Sequence, residues 1–111
     1  MLIAQISDTN MLPPGEIAYG LADTEAALVD AVAAVNAARP DFVIHTGDFA
    51  HHGAPEAYAL AREIMEGLDA PWCAIPGNHD DRANFRAAFR QASWMPTPES
   101  ADAFIHYTLD A

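Results

Sequence analysis

Lysine is missing from this chain. Its only basic residues are five arginines, set against 16 acidic residues for a formal net charge of -11 at pH 7. A surface with that balance repels phosphate backbones, which excludes nucleic-acid binding through a basic face. It disfavours anionic substrates as well, unless a bound cation offsets the acid locally, and clustered carboxylates suit divalent metals. Cysteine is nearly absent. Cys73 is the only one, so no intrachain disulfide can form and a thiolate metal cluster is excluded. Inside the apolar run Trp72 to Ile75, that thiol is expected to be buried and inert. No apolar stretch approaches about 18 residues, so nothing reads as a membrane span. Met1-Leu2-Ile3-Ala4-Gln5 has neither the basic start nor the apolar core of a signal peptide, and the expectation is a cytoplasmic protein.

The chain has 111 residues, 51% of them apolar, enough for one core and too few for two. Residues 1–111 therefore read as a single domain. Three apolar runs end in polar clusters: Leu2 to Ile6 runs into Ser7-Asp8-Thr9-Asn10, Phe42 to Thr46 into Gly47-Asp48, and Pro71 to Ile75 into Pro76-Gly77-Asn78-His79-Asp80. Each run reads as a strand, the first of them buried. Residues 8–20 form a loop, longer than a simple turn requires, with Pro13, Pro14, Gly15 and Gly20 as its punctuation.

Between the strands lie helical patterns. Asp23 or Thr24 can cap a helix carrying Leu28, Val32 and Val35 at i, i+4 and i+7, and Pro40 stops it near Ala38. Pro55 opens a second helix, with Leu60, Ile64 and Leu68 as its apolar face and Ala57 and Ala61 beside them. Phe85 and Phe89 mark a third, with Arg82, Arg86 and Arg90 on a separate, solvated face. Phe104 to Leu109 reads as a fourth strand. The order β-α-β-α-β-α-β predicts an α/β fold with parallel strands and right-handed crossovers. Such a sheet puts the carboxyl ends of its strands on one edge and gathers Asp8, Asp48 and Asn78 there.

Hard cations take oxygen ligands, and transition metals add imidazole. Asp8 and Asp48 can supply carboxylates and Asn78 an amide oxygen. A pair of cations about 3.5–4 Å apart can activate a water and clamp a phosphoryl group. His79 would then face the leaving oxygen as an acid or charge stabiliser, with Asp80 orienting it or capping the next helix. A single Asp after a strand is more often a cap or turn residue, but three such ends on one sheet edge argue for a site. His51 and His52 follow Asp48 on the same rim and read as solvated loop residues within reach of a metal. His45 and His106 lie inside strands and read as packed or surface histidines rather than ligands.

Gln5-Ile6-Ser7-Asp8-Thr9-Asn10, Thr46-Gly47-Asp48 and Ile75-Pro76-Gly77-Asn78-His79-Asp80 resemble the first three motifs of the calcineurin-like metallophosphoesterases. They look closest to the branch of class III cyclic nucleotide phosphodiesterases and glycerophosphodiesterases. The resemblance implies the parallel-sheet, amino-terminal half of a four-layer α/β sandwich carrying two metal ions (iron, manganese or zinc) that hydrolyses a small phosphodiester. By position it implies that Asp8 binds the first metal, Asp48 bridges, Asn78 binds the second, and His79 is catalytic. Asn10 stands where the family's first motif, Asp-x-His, carries an imidazole, which implies a weakened first site. The family's two later histidine motifs do not occur in these residues, so this chain alone is expected to be weak or inactive.

Two other readings compete. A non-catalytic half-domain would cover its open sheet by self-association or by a missing carboxyl-terminal half. Chemistry through an aspartyl phosphate would want a second acid at position 10 and a lysine, and neither is present.

Overall fold

Three apolar runs pair into a parallel sheet of order β1-β2-β3: Ile3–Ile6 (β1), Phe42–His45 (β2) and Trp72–Ala74 (β3). The structure is a computed structural model that describes residues 1–13, 23–78, 80–96, 105 and 107. Thr24–Ala38 (α1) connects β1 to β2, Pro55–Met65 (α2) connects β2 to β3, and Arg82–Ala88 (α3) follows β3. The alternating order and parallel pairing predicted from the sequence are both present. Of the fourth strand expected at 104–109 only Ile105 and Tyr107 are described, and most of the 8–20 loop lies outside the described residues.

Local chemistry sets the helix limits. The Asp23 carboxylate caps α1 by accepting the Ala26 N–H at 3.0 Å. The helix closes at Arg39, whose φ of 51° is left-handed and whose N–H bonds back to the Asn36 carbonyl. Asn36 then ties α1 to the segment before β3. Its amide nitrogen donates to the Gly67 carbonyl at 2.9 Å and its Oδ1 accepts the Asp69 N–H at 2.9 Å. Asp81, rather than Asp80, caps α3, accepting the Asn84 N–H at 2.9 Å.

Three expectations are corrected. β1 is not buried along its length: only Ile6 is, while Leu2 and Ile3 are 52% and 49% exposed. The cause is its place at one edge of the described sheet. The inward face of α2 is Ala57, Tyr58, Ala61 and Met65; Leu60 and Ile64 are only half-buried, and Leu68 lies beyond the helix end. That face is set by Tyr58, whose hydroxyl is fixed in the loop after β3. Arg82, Arg86 and Arg90 do not form one solvated face, because Arg86 is buried and donates from Nη1 to the Pro96 carbonyl at 3.0 Å.

The core joins Val43, Leu28, Val32 and Met65 to an aromatic cluster of Phe49, Phe85, Phe89 and Trp94. Phe49 meets Phe85 edge-on, with ring centroids 5.3 Å apart, an arrangement that suits the aromatic quadrupoles. Phe49 directly follows Asp48, so the loop after β2 is anchored in the core. Cys73 is buried as expected, and burial pushes its thiol pKa up, away from reactivity.

Candidate functional site

β1 and β2 end opposite each other, with Ile6 paired to His45. The segments that follow leave the sheet side by side and stay hydrogen-bonded. Asp8 N–H donates to the Gly47 carbonyl at 3.0 Å, Asn10 N–H to the Asp48 carbonyl at 2.9 Å, and Met11 N–H to the Phe49 carbonyl at 2.6 Å. Asp8, Asn10 and Asp48 hold φ of 55°, 46° and 54°. This left-handed conformation costs most residues about 1–2 kcal/mol, and less for Asp and Asn, whose short side chains bond locally. Such local bonds are present: Ser7 Oγ donates to Asp8 Oδ2, and Asn10 Nδ2 donates to the Asp8 carbonyl at 2.9 Å.

The third segment closes on the second through two glycines. A β-carbon on Gly47, where φ is 118°, would lie 2.7 Å from Gly77 N. A β-carbon on Gly77 would lie 2.3 Å from Asp48 Oδ1 and 2.5 Å from Asp48 N. The space that any other residue at 77 would fill is therefore taken by the Asp48 carboxylate.

Asp80 holds these turns together. Its carboxylate accepts from Phe49 N–H (3.1 Å), Ala50 N–H (3.0 Å), Gly77 N–H (2.8 Å) and Tyr58 Oη (2.8 Å). Tyr58 Oη in turn accepts the Asp81 N–H at 2.8 Å. Burial, and then the negative Asp80 beside it, push the Tyr58 hydroxyl pKa well up, which keeps it a donor. With its oxygens committed to four donors, Asp80 serves the rim as an organiser.

His45 is the buried polar residue beneath the rim. Its Nδ1 accepts the Gly47 N–H at 3.2 Å, so the neutral ring carries its proton on Nε2, which donates to Thr9 Oγ1 at 3.1 Å. The Thr9 hydroxyl donates in turn to the Phe49 carbonyl at 3.1 Å. The imidazole stacks on Phe49 with ring centroids 3.4 Å apart. Burial lowers its pKa to about 3, against a smaller opposite pull from Asp8.

The fold thus brings the segments of Asp8, Asn10, Asp48 and Asn78 to one rim. The side chains of Asp8 and Asn78 are exposed there, and those of Asn10 and Asp48 are half-buried. His79 and His106 lie outside the described residues. His51 and His52 sit in the loop after Asp48 with ring centroids 4.2 Å apart. Among the described residues no group of three or more His, Cys, Asp or Glu is gathered to hold a metal. The rim offers the Asp8 and Asp48 carboxylates and nearby amides, a hard oxygen donor set that fits a divalent cation. His45 and Asp80 are the residues that sequence reasoning undervalued. A histidine inside an apolar strand three residues before Asp48 was the available signal, since a buried imidazole must find partners.

A parallel sheet with its acidic side chains on the carboxyl rim defines an α/β protein of the kind that binds its ligand at that edge. The chain belongs to the calcineurin-like phosphoesterase family, whose profile matches residues 1–110. It is 42% identical over 112 residues to the glycerophosphodiester phosphodiesterase GpdQ of Enterobacter lignolyticus, covering 99% of this chain and 40% of that relative. It is 38% identical over 97 residues to a probable glycerophosphodiester phosphodiesterase GpdQ of Arcobacter nitrofigilis, covering 86% of this chain and 36% of the relative. A probable cyclic nucleotide phosphodiesterase of Rhodopseudomonas palustris is 38% identical over 117 residues, covering 99% and 42%. The chain therefore spans about two fifths of the length of these relatives. Among the described residues no helix is long and apolar enough to cross a membrane.

Proposed function

We propose that the protein to which these residues belong hydrolyses a small phosphodiester, of glycerophosphodiester or cyclic nucleotide type, with two divalent metal ions at the rim. The observation that carries this reading is the side-by-side bonding of the Asp8 and Asp48 segments, with Gly77 pressed against the Asp48 carboxylate. The names of the relatives point to the substrate class.

Asp8 would hold the first ion, Asp48 would be shared, and Asn78 would hold the second, with Asn10 a weak ligand in place of an imidazole. When bound, such ions supply Lewis acidity and a water acidic enough to act as nucleophile near neutral pH. The chain's own contribution is position. Gly77 leaves room for Asp48, Asp80 fixes the turns that carry Asp48 and Asn78, and His79 is assigned to deliver a proton to the leaving oxygen. The excess of acid makes cation binding a condition for admitting an anionic substrate.

The test is hydrolysis of bis(p-nitrophenyl) phosphate with and without manganese. These 111 residues alone are expected to turn over little. A longer polypeptide that contains them, of the relatives' length, is expected to show a manganese-dependent rate that Asp48→Ala abolishes. A rate indifferent to manganese or to Asp48→Ala would refute the reading. A second reading, a non-catalytic half that pairs with a second copy, draws on the exposed Met1, Leu2 and Ile3 at the β1 edge. A monomer in sedimentation would count against it.

A further inference from the structure

We propose that His45 is a positioning residue for the cation site: through Thr9 it clamps the Asp8 to Asn10 segment onto the Gly47 to Phe49 segment, setting the two carboxylates before a cation arrives. The inference rests on the reading of the rim as a divalent-cation site.

The clamp can be followed bond by bond. The Gly47 N–H reaches His45 Nδ1, the His45 Nε2–H reaches Thr9 Oγ1, and the Thr9 hydroxyl reaches the Phe49 carbonyl. Both ends of the imidazole are used, and both partners belong to segments that carry the proposed ligands. A ring needed only for packing would not require nitrogens at all. The same stack on Phe49 could be made by phenylalanine without burying two polar atoms. His45 itself is buried, and its two hydrogen-bond partners are the Gly47 N–H and the Thr9 hydroxyl rather than a proposed ligand side chain.

Thr9 stands between two left-handed residues, Asp8 and Asn10. Backbone in that region persists where its surroundings over-determine it. The backbone bonds at Asp8 and Asn10 join the two segments at their rim, and the Thr9 hydroxyl joins them to the buried His45 and the Phe49 carbonyl from beneath. Removing either half of the His45–Thr9 bond should loosen the segment that presents Asp8, with or without metal.

The test compares the wild-type chain with Thr9→Val, Thr9→Ser, His45→Phe and the double variant Thr9→Val/His45→Phe. Two readouts are needed: amide hydrogen exchange at Asn10 and Met11 without metal, and manganese affinity from the paramagnetic resonance signal of free Mn(II). Thr9→Val and His45→Phe are each expected to speed exchange and weaken manganese binding by about fivefold to tenfold, the scale of one hydrogen bond. Thr9→Ser, which keeps the hydroxyl, is expected to stay near wild type. The double variant is expected to lose clearly less than the sum of the two single losses, because both changes break the shared His45–Thr9 bond while each also breaks one bond of its own. Wild-type exchange and affinity in Thr9→Val, or fully additive losses in the double variant, would overturn the positioning role alone. A wild-type chain that takes up no manganese would overturn the cation reading and the positioning role with it. If His45→Phe does not fold, Thr9→Val and Thr9→Ser decide the matter.

Discussion

A single carboxylate, Asp80, receives three backbone N–H groups and the Tyr58 hydroxyl from three separate segments. Deleting it strands donors that have little access to water, at about 1–3 kcal/mol for each buried group left unmet. Asp80→Ala is therefore expected to cost about 3 kcal/mol or more in urea unfolding. A loss within about 0.5 kcal/mol, the range of ordinary surface substitutions, would show that these bonds do not hold the rim. His45 makes a second prediction. Its pKa lies near 3 in the fold against an ordinary 6.5. Between those values the unfolded chain binds a proton that the folded chain refuses, so stability falls as pH drops from about 6.5 towards 3. His45→Phe removes that contribution. The gap in urea midpoint between wild type and variant is expected to move against wild type from pH 7 to pH 4. A gap that stays constant would mean that the ring is not held neutral.

At the scale of elements, the strand-end segments function as one stacked unit, and much of that unit was legible in the sequence. Three apolar runs ending in Asp8, Asp48 and Asn78 lead to one rim once helices intervene and force parallel pairing. Other features were not legible because they depend on partners far along the chain. The inward face of α2 is chosen by Tyr58 reaching Asp80 and Asp81, which hydrophobic periodicity does not record. Arg86 looked solvated from its four-residue spacing, yet it is buried where 95–96 cross α3. The role of His45 depends on Thr9, 36 residues away. Gly77→Ala tests the stacking directly. Its β-carbon would meet Asp48 at 2.3 Å and must push one segment off the other. A loss of about 1–3 kcal/mol in stability is expected, typical of overpacking, and it should come with weaker manganese binding. An unperturbed variant would mean that the two loops are not in contact.

For the molecule as a whole, the excess of negative charge and the acidic rim act together. At a net charge of -11, self-repulsion opposes the compact state, and the divalent cation proposed for the rim would relieve it locally. The chain should therefore be more stable with manganese than without, and the gain should depend on Asp48 more than on acids elsewhere, such as Asp30 or Glu63. The Asp48 carboxylate follows β2, lies beside the Asp8 segment, and fills the space that Gly77 leaves open. The decisive measurement is a calorimetric titration of manganese into the wild-type chain, Asp48→Asn and Glu63→Gln, at fixed pH and ionic strength. Saturable binding in the wild type is predicted, weakened about tenfold or more in Asp48→Asn and unchanged in Glu63→Gln, because affinity at an oxygen site follows the charge of its ligands. Equal affinity in all three chains would contradict it.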